Sequence, residues 1–101
     1  MGYDLVSDHG EVGFNNTGWS TVLSLAIEYG WKPEPDLDYY FGNDYQKVTD
    51  RDARNLGEAL LRAHAVLEAR EHKSPTRWPD DWLRRVKEFG EFALKGRFEI
   101  W

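Results

Sequence analysis

Five tryptophans in a 101-residue chain with no cysteine restrict the fold more than any other feature. Without cysteine there are no disulfides and no thiolate metal sites, so packing alone must hold the domain together. Each indole is a large apolar body with one N–H donor, and that donor needs an acceptor when buried. Five such rings fill much of the core of a domain this small. They are too many to hide easily, which predicts at least one tryptophan at a surface that binds something.

Glycine, proline and cap residues divide the chain into short elements. Tyr3–Val6 alternates and predicts a strand, Asp8-His9-Gly10 a turn, and Glu11–Asn15 the returning strand of a hairpin. Trp19, Val22, Leu23, Ala26 and Ile27 recur at helical spacing, with Asn16 or Thr17 as cap and Gly30 as a left-handed stop. The first helix is thus expected over Gly18–Tyr29, and Pro33 and Pro35 keep it from restarting. Residues 31–48 have no clear period, and Asp38–Tyr45 reads either as a short strand or as an ordered aromatic loop. Thr49 with Asp52 three residues later resembles a capping-box start. Ala53, Leu56, Leu60, Ala63, His64 and Leu67 then share one face, predicting a second helix over Asp50–Glu71 that Ser74-Pro75-Thr76 ends. Pro79 suits the first position of a third helix, with Asp80 and Asp81 complementing its dipole. Trp82, Leu83, Val86, Phe89, Phe92 and Ala93 form its apolar stripe, Gly96 ends it, and Arg97–Trp101 alternates as a last strand.

A hairpin alone is marginally stable, so the C-terminal strand is expected to join it. The fold class is α+β: a small antiparallel sheet, N-terminal hairpin plus C-terminal strand, packed against three helices. The order is ββαααβ, with room for one more strand in the middle, in a single domain over 1–101. Phe98 and Ile100 are expected to face the helices, and Glu99 and Trp101 the opposite side. Trp19 and Trp82 fall on apolar helix faces and are expected in the core. Trp31 follows a helix stop and Trp78 precedes a helix start, so both are expected to clamp loop ends. Trp101 is the tryptophan that the core explains least.

At 41% hydrophobic and 31% charged, the chain has a globular composition. No apolar run approaches the ~20 residues of a membrane span, and no basic-then-apolar signal opens the chain. A cytoplasmic protein with no membrane partner is expected. Charge is uneven: residues 1–50 hold nine Asp/Glu against two Lys/Arg, and residues 51–101 nine against eleven. An acidic surface repels nucleic acid and favours a basic partner.

Several short motifs carry a resemblance. Gly2-Tyr3-Asp4, Phe14-Asn15-Asn16-x-x-Trp19, Tyr29-Gly30-Trp31-x-Pro33 and Gly96-x-Phe98-Glu99-Ile100 span most of the chain. Together they resemble a group of small, uncharacterised phage and actinobacterial proteins that open with a GYD-type strand, carry an N-x-x-W element and close with a G-F-E-I ending. The sequence departs from them at Thr17-Gly18, where bulky residues are common, and at Arg97 beside Gly96. The resemblance implies one compact domain of phage or bacterial origin and no particular chemistry.

Two sets of residues are candidates for binding. Asn15, Asn16, Thr17 and Trp19 sit at a strand-to-helix junction, where backbone N–H groups favour anions. Arg84 or Arg85 of the third helix would close over a phosphate there, and Trp19 would offer a stacking face. That arrangement suits a small nucleotide, and a homodimer would supply two halves of such a site; the plainer reading is a capping turn with Trp19 in the core. The second set is an acidic aromatic surface: Trp31, Asp36, Asp38, Tyr39, Tyr40 and Tyr45, with Trp101. Aromatic rings supply contact energy and carboxylates steer a basic partner, whereas the plainer reading is a solvated loop. His64, Glu68 and His72 share a helix face, but eight residues separate the histidines, about 12 Å of rise, too far for one ion. Asp4, Asp8, His9 and Glu11 read as a solvated hairpin tip. There is no G-x-S-x-G elbow, no P-loop and no dinucleotide-binding glycine pattern, so no catalytic residue and no cofactor is assigned. The expectation is a non-enzymatic protein-interaction or inhibitor module, with a nucleotide-binding protein as the alternative.

Overall fold

In the computed structural model, which describes residues 2–35, 37–41, 46–71 and 80–101, a two-residue turn folds β1 (Gly2–Ser7) back onto β2 (Gly10–Asn15). Ser7 fixes the turn, its Oγ accepting the His9 N–H at 3.2 Å and donating to the Gly10 carbonyl at 3.3 Å. The chain then enters helix α1 (Asn16–Glu28) without a loop. Asn15 is still extended, at φ −78° and ψ 173°, and its Oδ1 accepts the Gly18 N–H at 2.7 Å. Asn15 is therefore the cap, and the helix begins two residues before the expected Gly18. Asn15, Asn16 and Thr17 are all good cap residues, so local preference does not choose among them; the end of the β2 ladder does. At the far end Gly30 has φ 105°, a region closed to most side chains. It lets the Trp31 N–H reach the Ala26 carbonyl at 2.9 Å and its own N–H reach Ile27 at 3.1 Å, which turns Trp31 inward.

The middle segment, expected as strand or loop, contains both a 3-10 helix (Leu37–Phe41) and a short strand, β3 (Gln46–Val48). Helix α2 spans Asp50–Glu71, as its pattern predicts, α3 spans Asp80–Leu94, and β4 (Phe98–Ile100) follows. The sheet order is β2-β1-β4-β3, antiparallel throughout, with Leu5 opposite Ile100 and Lys47 opposite Glu99. The final strand therefore lies inside the sheet and joins the hairpin to β3. Pro79, Trp78 and the Ser74-Pro75-Thr76 stop lie outside the described residues.

Side-chain alternation puts Leu5, Phe14, Val48, Phe98 and Ile100 on the helix-covered face, all buried. Asp4, Glu11, Lys47 and Trp101 point the other way and are exposed. An aromatic cluster lies within the core: Phe89 is 5.2 Å from Phe14, 5.7 Å from Trp19 and 5.9 Å from Phe98 between ring centroids, edge to face in each pair. Trp82 packs half-buried on its margin, with its ring 6.4 Å from Phe14. No described helix is long and apolar enough to cross a membrane.

Helices α2 and α3 cross at a pair of glycines. A Cβ on Gly57 would stand 2.6 Å from the Gly90 carbonyl oxygen and 2.7 Å from the Leu94 amide nitrogen. Both neighbours are backbone, so neither can swing aside. Gly57→Ala is expected to destabilise the protein by about 1–3 kcal/mol in urea unfolding, even though alanine is the better helix former. Unchanged or increased stability would show that the helices do not pack this closely.

Candidate functional site

The aromatic acidic segment is built around one carboxylate. Thr49 caps α2, its Oγ1 accepting the Asp52 N–H at 3.2 Å. The other half of a capping box would send the Asp52 side chain back to Thr49. Instead it points into the protein, 1% exposed, where its two oxygens accept the Glu34 N–H at 3.3 and 3.1 Å. Oδ2 also accepts the Tyr40 hydroxyl at 2.6 Å. These donors and the positive end of α2 stabilise the carboxylate there. Burial, together with the hydrogen bond and the negative charge of Asp52, pushes the Tyr40 hydroxyl well above the ordinary phenol range, so it stays a donor.

This arrangement overturns part of the expected surface. Trp31 and Tyr40 are each 2% exposed and stack at 5.8 Å, 19° from parallel. The Trp31 Nε1–H donates to the Asp52 carbonyl at 3.1 Å, and the Trp19 Nε1–H to the Tyr40 carbonyl at 2.7 Å. Trp31 and Tyr40 are therefore core residues, because Asp52 at the start of α2 supplies the acceptor for each of their donors. Asp38 and Tyr39 are exposed, and the Tyr39 hydroxyl accepts the Lys47 N–H at 3.3 Å. Asp36 and Tyr45 lie outside the described residues. Sequence reasoning missed Asp52; its one signal is the Thr49 cap, which places a carboxylate at a donor-rich helix start.

At the start of α1 the structure brings only some of the predicted residues together. Gly13, Phe14, Asn15, Gly18, Trp82 and Arg85 line an open cleft of about 350 Å³. Arg85 does reach over this junction, but onto the protein itself. Its guanidinium lies 4.7 Å above the Phe14 ring, and Nη2 donates to the Gly13 carbonyl. The Asn15 side-chain oxygen faces the Gly18 N–H, occupying a donor that an anion would need. Asn16, Thr17 and Arg84 are exposed and do not line the cleft, and Trp19 is 1% exposed, so it offers no stacking face.

The open face of the sheet is the third place. In one row across the strands Glu11 faces Val6, Val6 faces Glu99, and Glu99 faces Lys47. In the next, Gly13 faces Asp4, whose backbone exchanges hydrogen bonds of 2.7 and 3.3 Å with Trp101. Trp101 is 47% exposed, on the side its alternation predicts. Where β1 leaves β4, a groove of about 590 Å³ continues from this face and shares Val6, Lys47 and Glu99 with it. Elsewhere, His64 Nδ1 lies 3.6 Å from Glu68, and His72 lies outside the described residues. Among the described residues no three metal-ligating side chains converge.

No family model, no curated protein and no solved structure matches this chain.

Tyr40→Phe removes the hydroxyl from a buried carboxylate and is expected to cost about 1.5–3 kcal/mol. The raised Tyr40 pKa fixes the sign of the pH dependence. The contribution is whole below about pH 10, the unfolded phenol value, and declines as pH rises through and beyond it. Urea unfolding at pH 8 and pH 11 should therefore show the gap between wild type and Tyr40→Phe narrowing. A gap that widens with pH contradicts the Tyr40–Asp52 bond.

Proposed function

We propose that this protein is a non-enzymatic binding module, of the small phage or bacterial interaction or inhibitor kind, that engages a basic protein partner through the open face of its sheet. The observation that supports this most is the character of that face. Asp4, Glu11 and Glu99 project from it against Lys47, with an exposed tryptophan among them. Aromatic residues are common contact hot spots, and a carboxylate field speeds encounter with a basic surface. The buried Trp31 and Tyr40 move the reading away from residues 34–45 and onto the sheet. The nucleotide alternative has less support, because Arg85 already caps the Gly13 carbonyl and Asn15 presents an oxygen at the helix start.

Capture from bacterial lysate tests the reading. Immobilised wild-type protein is expected to retain a protein that Trp101→Ala and Glu11→Lys baits lose by tenfold or more. Both substitutions should leave unfolding within about 0.5 kcal/mol of wild type, as exposed positions do. Identical capture by all three baits overturns the assignment of this face, and a bound nucleotide in native mass spectrometry favours the alternative.

A further inference from the structure

Resting on the open face as contact surface, we propose that Trp101, Glu99 and Asp4 form a receptor for an arginine side chain presented by a short extended segment of the partner. The Trp101 N–H donates to the Asp4 carbonyl at 2.7 Å and the Asp4 N–H to the Trp101 carbonyl at 3.3 Å. Side chains on directly paired residues leave the same face with Cβ atoms about 5 Å apart. Glu99 lies two residues earlier on that face, and its Oε1 accepts the Trp101 Nε1–H at 3.1 Å. This bond holds the indole beside the carboxylate, while 47% of the tryptophan remains exposed. Across from Asp4 stands Gly13, where a Cβ would come within 3.6 Å of Asp4 Oδ1. The glycine thus leaves that flank of the carboxylate open.

A half-exposed indole with one carboxylate bonded at its N–H edge and a second on the paired residue of the next strand suits a guanidinium better than an ammonium. Arginine stacks on aromatic rings and offers a planar fork of donors, whereas lysine offers a compact, strongly hydrated point charge. The size of the face selects a segment rather than a whole domain. Four strands at about 4.8 Å spacing and β1 at about 3.3 Å per residue give a patch roughly 20 Å on a side. That is below the roughly 800 Å² per partner of a standard stable interface. The groove beyond Glu99 extends the track along which a segment can lie. A second copy of the chain fits poorly, since its net charge is −5 and two such faces would meet carboxylate to carboxylate.

The test is a titration of ¹⁵N-labelled protein with three capped nine-residue peptides: alternating Arg and Ser, its Lys twin, and its citrulline twin. The Arg peptide is expected to shift the Trp101 indole N–H and the Asp4 and Glu99 amides. It should bind at least fivefold tighter than the Lys peptide, and the citrulline peptide should not bind. Trp101→Ala and Glu99→Gln should each weaken the Arg peptide tenfold or more with the remaining spectrum unchanged. Equal binding of the Arg and Lys peptides, or no loss in Trp101→Ala, overturns the receptor, leaving a face that attracts cations by charge alone. Shifts confined to α1 or α3, or a dimer in sedimentation whose contact covers Trp101, also overturn it. The lysate capture with altered baits judges the contact surface independently, so the receptor can fail while the contact surface stands.

Discussion

The buried carboxylate of Asp52 is the interaction on which the rest of this domain depends. A charged oxygen in a core is costly unless donors surround it. Here a backbone N–H from Glu34, the Tyr40 hydroxyl and the first turn of α2 perform that role. The same residue, Asp52, holds Trp31, Glu34 and Tyr40, between α1 and β3, in place. With Tyr40 held, its carbonyl accepts the Trp19 indole; with Asp52 held, its carbonyl accepts the Trp31 indole. Two tryptophans thus enter the core with their donors satisfied, and the Tyr3 hydroxyl adds a further tie to the Phe41 carbonyl at 2.7 Å. The described part of the segment thus ties α2 to the hairpin, and Trp31 and Tyr40 lie out of a partner's reach.

That packing decides where recognition can occur. With Trp19 and Trp31 enclosed and Trp82 on the core margin, Trp101 is the described tryptophan left with substantial exposure. It sits on the sheet face opposite the helices, at a position set by the pairing of β4 with β1. The acidic first half of the chain contributes Asp4 and Glu11 to this face and the second half contributes Glu99. Charge and aromatic surface thus meet through topology rather than through proximity in sequence. At the opposite corner, Arg85 covers an outward-facing carbonyl of the edge strand β2, a common way to blunt a sheet edge.

Much of this architecture was legible in the chain. The exact span of α2 follows from Thr49 and an uninterrupted apolar face, and the outward Trp101 follows from alternation with Phe98 and Ile100. The hairpin follows from the turn residues between two short alternating runs. The legible features are local. Burial of Trp31 and Tyr40 was not legible, because it rests on acceptors supplied by a residue 21 and 12 positions away. The three residues of β3 have no period of their own and become a strand only because β4 lies beside them. Sequence alone leaves Arg85 available to a ligand, because nothing near it discloses the Phe14 ring and the Gly13 carbonyl, 72 residues away, that it covers. Asp52 read as an ordinary cap companion, since spacing does not reveal which way its side chain turns.

Hydrogen exchange at the indole N–H groups, followed by NMR, tests this division of the tryptophans most directly. The Nε1–H groups of Trp19 and Trp31 donate to buried carbonyls and should exchange only through large-scale unfolding, whereas that of Trp101, bonded to an exposed part of the sheet, should exchange orders of magnitude faster. Fast exchange at Trp31, or protection at Trp101 equal to that at Trp19, would contradict both the Asp52-centred core and the open tryptophan face.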